Sequence, residues 1–475
     1  MNARLLAPEF PDDLEWVNTD DPPRIADLRG RVALLWFWSY DAVNCWNLIA
    51  DLRHFEVKYH DGLSVMGIHC PKYPHQRDSG HLLHAVNRHH LRHAVANDTD
   101  FLLWRSYGIE AWPTVALIDV EGNLAALFAG EGRRSEIDGR IAQLLDEAAS
   151  QDLRVYEPIA LELRPAPRHT LAFPGKLLAD ENRLYVADSG HHRVLECTHD
   201  GRILRCFGSG HADYVDGGPA QACFDNPQGL ARWRNALYVA DSGNHCVRRV
   251  DLGNGDITTA LGTGRAARSR PDQADAQTTA LNTPLDLEVL GDDLYIAVAG
   301  QNQIWRLDLV TARVSVQTGS GELGMSDGAA AKASLAQPSG LAVLGRQLVV
   351  ADAAASAVRW INLNNGRVKT AVGSGLYDFG DATGMRDEAR LQNPLAVAAD
   401  PRGTIYVADS YNNSIKLLNR KSGEVRALPM QHQLNEPQGL CVAGNLLWVA
   451  NTNLHEIVCI DLTSGALRRV PVGEM

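Results

Sequence analysis

The chain of 475 residues is poor in the features that mark several protein classes. Its eight cysteines, Cys45, Cys70, Cys197, Cys206, Cys223, Cys246, Cys441 and Cys459, follow no framework spacing. That excludes a disulfide-stapled scaffold and leaves reduced thiols as the expectation, with the last six acting as small core hydrophobes. No apolar run approaches the roughly 20 residues that cross a bilayer as a helix. The longest candidate, Val32 to Trp38, has the length of a strand. Residues 1–9 lack the apolar core and small-residue cleavage site of a secretory signal, so a cytoplasmic location without membrane association is expected. Positive charge is also in deficit: 45 Lys and Arg stand against 57 Asp and Glu, a formal net charge of −12. A phosphate-tracking surface is therefore not its main interface, and nucleic acid is not an expected partner.

What the chain has is a phrase that returns six times. It reads LYVADSGHHRVLEC from Leu184, LYVADSGNHCVRRV from Leu237, LYIAVAGQNQIWRL from Leu294, LVVADAAASAVRWI from Leu348, IYVADSYNNSIKLL from Ile405 and LWVANTNLHEIVCI from Leu447. A marker position within it holds Asp188, Asp241, Val298, Asp352, Asp409 and Asn451, at spacings of 53, 57, 54, 57 and 42 residues. Each unit has a lead-in of the form Asn-Pro-x-Gly-Leu, as at Asn226–Leu230, and a second hairpin whose Gly and Asp residues supply positive-φ turns, as at Asp251–Asp256. Each unit thus reads as four short antiparallel strands. Six such sheets, repeated radially, predict a six-bladed β-propeller over 169–475.

Ahead of the repeats the pattern changes to alternating strand and helix, the sign of a separate α/β domain over 1–150. Strands are expected over 32–38 and 63–68, helices over 44–59, 79–91, 101–107 and 135–149, and a hairpin over 114–119 and 124–128. Residues 151–168 read as a linker whose alternating stretch, 158–163, is suited to complete the short sixth blade and close the ring. His81, His84, His89, His90 and His93 lie on or after the second helix without the closed Cys/His set of a structural zinc site. Most are expected on a solvated face, and no metal is assigned.

The α/β segment resembles the thioredoxin fold, through Phe37-Trp38 at a strand end, Cys45 one turn into the first long helix, and Ala111-Trp112-Pro113-Thr114 ahead of a later strand. The resemblance implies a cis proline at Pro113, and a groove beside Trp38, Trp112 and Pro113 that binds an extended peptide. It also implies a Cys-x-x-Cys motif where this chain has Ala42-Val43-Asn44-Cys45. The first cysteine of such a motif sits at the helix N-terminus, where the dipole and free N–H groups lower its pKa and make it the nucleophile. Ala42 takes that place and leaves Cys45, the position of the resolving thiol. Dithiol exchange within the motif is then chemically impossible. A naturally degenerate motif, a cysteine replaced by alanine, and a site drawing on another thiol all remain open. The candidate for that other thiol is Cys70, at the carboxyl edge of the second strand. The family's buried carboxylate on the first strand is matched by Trp36.

The repeat phrase resembles the NHL repeat. The two segments together resemble the NHL-repeat-containing protein 2 family and its bacterial relatives, whose animal members carry a further β-rich domain after the propeller. The chain is expected to be a bacterial member without that domain. The implied architecture is multidomain: an α/β thioredoxin-like fold plus an all-β six-bladed NHL propeller. Two functions follow as expectations. One is a thiol-disulfide oxidoreductase-like protein, degenerate at its own motif, whose propeller recruits a protein partner. The other is a non-catalytic interaction scaffold. Neither calls for a cofactor, and a monomer is expected. The repeated Asp residues read as turn-stabilising acceptors for backbone N–H groups, because they recur at one structural position in blade after blade. A metal-dependent lyase or lactonase ring is opposed by Val298.

Overall fold

The computed structural model describes residues 5–155, 168–267 and 273–473. The chain divides into two compact units, 1–167 and 168–475. The first unit holds β1 (Glu15–Val17), β2 (Val32–Trp38), α1 (Val43–Lys58), β3 (Leu63–His69), α2 (Ser79–Arg88), β4 (Ala94–Asn97), α3 (Leu102–Ser106), β5 (Thr114–Ile118), β6 (Leu124–Ala129) and α4 (Arg134–Ser150). They form one six-stranded sheet in the order β1-β4-β3-β2-β5-β6, in which β2, β3 and β4 run parallel. Every residue of β2 and β3 is buried, the reason both read as near-continuous apolar runs. The two crossovers from β2 to β3 and from β3 to β4 step the same way, and the right-handed rule puts α1 and α2 on one face. The other face packs Phe37, Ile68 and Cys70 against Phe10, Leu28, Leu103 and Tyr107. The sequence reading lacks β1 and β4: strands of three and four residues carry too little alternation to register.

The second unit is a ring of six sheets. Their inner strands are Leu177–Ala179, Pro227–Trp233, Pro284–Leu290, Pro338–Leu344, Ala396–Ala399 and Pro437–Ala443. Four sheets have four strands, and the third and fifth gain a fifth, Gln273–Asp275 and Gly384–Met385. The lead-in glycines allow the inner strands to approach closely. A Cβ on Gly229 would lie 2.5 Å from Asp286 Cα, and one on Gly439 2.4 Å from Gly175 O. The sixth sheet has four strands of its own among the described residues; the stretch expected to complete it, 158–163, lies outside them. Among the described residues, blade 6 meets blade 1 through a packed seam of Leu171, Leu177, Val186, Trp448, Ile457 and Val470.

Adjacent blades are latched by one repeated hydrogen bond. After the second strand of each blade a tight turn, 3₁₀ in five of the six, ends on a residue in the left-handed region: His192, His245, Asn302, Ser356, Asn413 or His455. Its side chain accepts the backbone N–H of the residue ahead of the next blade's lead-in proline. The donors are Asn226 (3.1 Å), Thr283 (3.1 Å), Gln337 (3.0 Å), Asn393 (3.2 Å), Glu436 (2.8 Å) and, closing the ring, Phe173 (3.0 Å). All six donors also have positive φ, between 46° and 55°. Each such conformation costs of order 1 kcal/mol for a non-glycine residue, so the latch geometry is held against local preference. A second contact supports it where a hydroxyl follows the marker: Ser189, Ser242, Ser410 and Thr452 donate to Pro227 O, Pro284 O, Pro437 O and Pro174 O at 2.5–2.7 Å.

The marker side chains work inside their own blades. Asp188, Asp241, Asp352, Asp409 and Asn451 each accept a backbone N–H from the lead-in, at 2.6–2.8 Å. In blades 2 and 4 the second carboxylate oxygen meets a fully buried guanidinium, Asp241 with Arg248 at 3.0 Å and Asp352 with Arg359 at 2.8 Å. Burial pushes both carboxyls up, and the facing arginine opposes it. Blade 3 replaces both partners together, with Val298 and Trp305 buried in their stead. Among the thiols of this unit, Cys197, Cys223, Cys246 and Cys459 are buried and Cys441 is intermediate. Cys206 is exposed, which corrects its assignment to the core: its outer strand presents alternate residues to solvent.

Two outcomes follow. Arg248→Met, which leaves a buried carboxylate unpaired, should cost about 3–5 kcal/mol in urea unfolding, and the double change Asp241→Val with Arg248→Trp, copying blade 3, should recover most of it. The second concerns His245, whose imidazole burial lowers from its ordinary 6.5 to about 4, with Asp225 pulling the other way. A protonated ring cannot accept the Thr283 N–H. Because the folded value lies below the unfolded one, the latch's stability is complete above about pH 6.5 and is lost as pH falls through 4. Melting temperatures taken between pH 7.5 and 4.5 should therefore fall less for His245→Asn than for the unchanged chain; equal slopes would count against the latch.

Candidate functional site

The carboxyl ends of β2 and β3 meet the N-terminus of α1, and there the candidate site is built. Ala42 is the N-cap of α1 and supplies no side-chain cap, while its carbonyl accepts the Cys45 N–H at 2.8 Å. Cys45 is fully buried. Burial pushes its thiol far up, opposed by a backbone hydrogen bond from Ser39 and reinforced by Asp41 and Glu131. Cys70 follows β3, and its N–H donates to Trp38 O at 2.8 Å, which seats it at the end of β2. It too is fully buried and pushed well up, first by burial and then by Asp98, whose carboxylate lies 3.8 Å from its sulfur. Both cysteines are free thiols. A thiol held this far from ionisation is a poor nucleophile, so the structure places both cysteines at the expected edge and disfavours the thiolate at each.

The peptide between Trp112 and Pro113 is cis, as the resemblance implied. Trp112 is half-buried against Trp104, ring centroids 5.0 Å apart, and its indole nitrogen is buried without a hydrogen-bond partner. Pro113 is buried, and its carbonyl accepts Gly130 N–H at 2.8 Å. Trp38 is a correction. It has no exposed surface, stacks on Trp36 with centroids 4.5 Å apart and meets His69 edge-on, because residues of a strand covered on both faces all point into packing. It supports the site from below and does not line a groove.

A polar network that sequence reasoning missed surrounds Ala42. The buried Asp41 carboxylate accepts from Ser39 Oγ at 2.5 Å and from Gln76 Nε2 at 2.9 Å, while Gln76 Oε1 accepts the N–H groups of Lys72 and Tyr73. Next to it, His69 Nδ1 donates to Asn97 Oδ1 at 3.0 Å, and its Nε2 is buried without a partner. Burial lowers this imidazole to about 4, so it is neutral at physiological pH. Its signal in the sequence is the polar residue ending an otherwise apolar strand. Deeper in the same face, the Trp36 indole N–H donates to His93 Nε2 at 2.9 Å, which leaves His93 Nδ1 to donate to Glu56 at 2.8 Å. His93 is therefore buried, a correction to its placement on a solvated face. Among the described residues no group of three His, Cys, Asp or Glu side chains is arranged to hold a metal ion.

In the propeller, Lys176 of blade 1 is buried and crosses the centre of the ring. Its ammonium donates to Leu395 O of blade 5 and lies 3.9 Å from Asp286 Oδ2 of blade 3. Asp286 also accepts Leu341 N–H at 2.8 Å and Leu287 N–H at 2.9 Å. Nearby Glu288 is pushed up to about 8 by burial and by Asp286. The axis is thus occupied by a paired lysine, while the marker carboxylates are committed to lead-in amides. No described helix is long and apolar enough to cross a membrane.

Comparison with known proteins follows both units. The NHL repeat pattern matches residues 224–250 and 391–416. NHL repeat-containing protein 2 of Bos taurus is 35% identical over 520 residues, covering 98% of this chain and 72% of its own length. Protein SUPPRESSOR OF QUENCHING 1, chloroplastic, of Arabidopsis thaliana is 35% identical over 96% of this chain and 47% of its own length. Thiol-disulfide oxidoreductase YkuV of Bacillus subtilis is 24% identical over 31% of this chain and 99% of its own length. With a thioredoxin-like α/β unit, a six-bladed propeller and a relative 35% identical that matches 98% of this chain, the chain belongs to the NHL repeat-containing protein 2 family.

Proposed function

We propose that this chain binds a protein partner as a non-catalytic scaffold, its thioredoxin-like unit taking up an extended segment beside Trp112 and Pro113 and its propeller offering the larger surface. The observation that carries this reading is the pairing of Ala42 with a fully buried Cys45. The helix N-terminus keeps the donors that would stabilise a thiolate, yet the residue there has only a methyl group, and the remaining thiol is neither exposed nor ionisable near neutral pH. The cis Trp112–Pro113 turn, with Trp112 half-buried, favours peptide capture without exchange.

A second reading is a thiol-disulfide oxidoreductase-like protein. It is favoured by the retained position of Cys45 and by the resemblance of residues in this unit to a protein named a thiol-disulfide oxidoreductase. In that reading the exchange would need a cysteine in place of Ala42, beside the buried network of Ser39, Asp41 and Gln76.

Two measurements separate them. Native-state alkylation followed by mass spectrometry should label Cys206 first and leave Cys45 and Cys70 unlabelled until the fold opens. In insulin reduction the unchanged chain should be inactive, and Ala42→Cys should gain turnover if the site retains exchange geometry. An Ala42→Cys variant that stays inert would sink the redox reading, whereas activity of the unchanged chain would sink the scaffold reading. A pulldown that recovers the same partners from Cys45→Ser supports the scaffold.

A further inference from the structure

The register of the six-stranded sheet sets a row of residues along its carboxyl edge. Glu15 of β1 pairs with Asn97 of β4, Asn97 with His69 of β3, and His69 with Trp38 of β2. On the far side of β2 the pairing of Phe37 with Thr114 brings Pro113 to the next step of the same edge. At the near end of this row, among the described residues, Asp13, Glu15, Arg77, Asn97, Asp98 and Asp100 line a cavity of about 250 Å³. At the other end stands the cis Trp112–Pro113 turn. Neighbouring strands lie about 4.8 Å apart, so three to four steps separate the two ends by roughly 14–19 Å. An extended chain covers that span with about four to six residues.

The two ends are joined by apolar surface. Trp112 packs on Trp104 with ring centroids 5.0 Å apart, and Trp104 on Phe101 at 5.7 Å. All three are half-buried on one core cluster, and so is Leu14, which lines the cavity together with the exposed Leu102. Phe101 is held at a φ of 57°, in the left-handed region, while the Asp98 carboxylate accepts the Leu102 and Trp104 N–H groups at 2.7 and 2.9 Å. These bonds fix the strip, which runs from the turn to the cavity.

The charge of the cavity decides what fits there. Four carboxylates and one guanidinium line it. Asp98 is committed to the two N–H groups of α3, and Glu15 accepts Ser79 Oγ. Arg77 donates to Thr99 O at 3.0 Å and lies 3.9 Å from Asp100, so it balances at most one of the acids. Asp13, Glu15 and Asp100 are exposed at the rim. A recess of this sign favours a cationic group, and carboxylates that converge on one cation make charge-assisted hydrogen bonds to it. We infer that the cavity takes the ammonium or guanidinium of a Lys or Arg side chain on the extended partner segment, about four to six residues along from the residue that meets Pro113. Phe101 and Trp104 lie beneath the chain between these two points. The inference rests on the peptide-capture reading above and adds to it a charge and a spacing.

The test uses the full chain and fluorescein-labelled peptides of about twelve residues alternating Ser and Val, long enough to span the edge, with a single lysine placed at each position in turn. Anisotropy should show tightest binding for lysine at one or two neighbouring positions, about five- to tenfold above the norleucine counterpart, and amide exchange should slow at 97–104 and 111–114 together. Asp13→Asn with Asp100→Asn should level the lysine and norleucine peptides without moving the melting temperature. Peptides that protect 111–114 yet bind equally with lysine, norleucine or glutamate would overturn the inference and leave the capture reading standing. Peptides that bind nowhere would overturn both, and a lysine preference that survives the double change would overturn the assignment to this cavity. The peptide series is read on the unchanged chain, so it decides the matter even where the double variant fails to fold.

Discussion

A ring of sheets is stable only if its last joint is as good as its others, and here one hydrogen bond meets that condition six times. A side chain held in the left-handed region accepts the amide that precedes the next blade's proline, and the joint from His455 to Phe173 has the same geometry as the five that precede it. Everything else in the propeller leans on this joint. It brings the lead-in strands to the axis, where the lead-in glycines permit the approach, and it presents the lead-in amides to the marker carboxylates. The apolar seam between the first and last blades is built from their own side chains, Leu177, Val186, Trp448 and Ile457 among them.

The marker position shows how a repeat tolerates loss. In blades 2 and 4 a buried carboxylate and a buried guanidinium stand together, and in blade 3 Val298 and Trp305 have replaced both. Losing one member leaves an uncompensated charge in a dry interior, whereas losing both exchanges a polar pair for packing. Seen singly, Val298 looks like decay of a ligand ring. Seen with Trp305, seven residues on, it is a repacked blade.

The ring, its blade number and the thioredoxin-like order were legible in the sequence because each rests on period: a phrase at fixed spacing, or apolar runs of strand and helix length. The latch was not, since its acceptor is His, Asn or Ser and its donor is a backbone amide, so only the conformation repeats. The short strands Glu15–Val17 and Ala94–Asn97 were lost for want of length. At the candidate site, Ala42, Cys45 and Pro113 announced themselves by local motif. Ser39, Asp41 and Gln76 did not, because the hydrogen bonds that bring Gln76 to the other two span more than thirty residues of chain. Trp38 was misplaced for the converse reason: a motif names a residue's position along a strand, and burial on both faces decides what it touches.

The lysine across the axis has a geometric implication of its own. Lys176 stretches from the first blade to a carbonyl of the fifth and a carboxylate of the third, so one flexible side chain spans the ring's bore. The length of a lysine is fixed by its covalent bonds, and the distance between opposed inner strands grows with the number of blades. A ring with one more blade would carry those partners out of reach and strand an ammonium in a dry channel. The spoke therefore acts as a gauge, tying this sequence to a circle of one size.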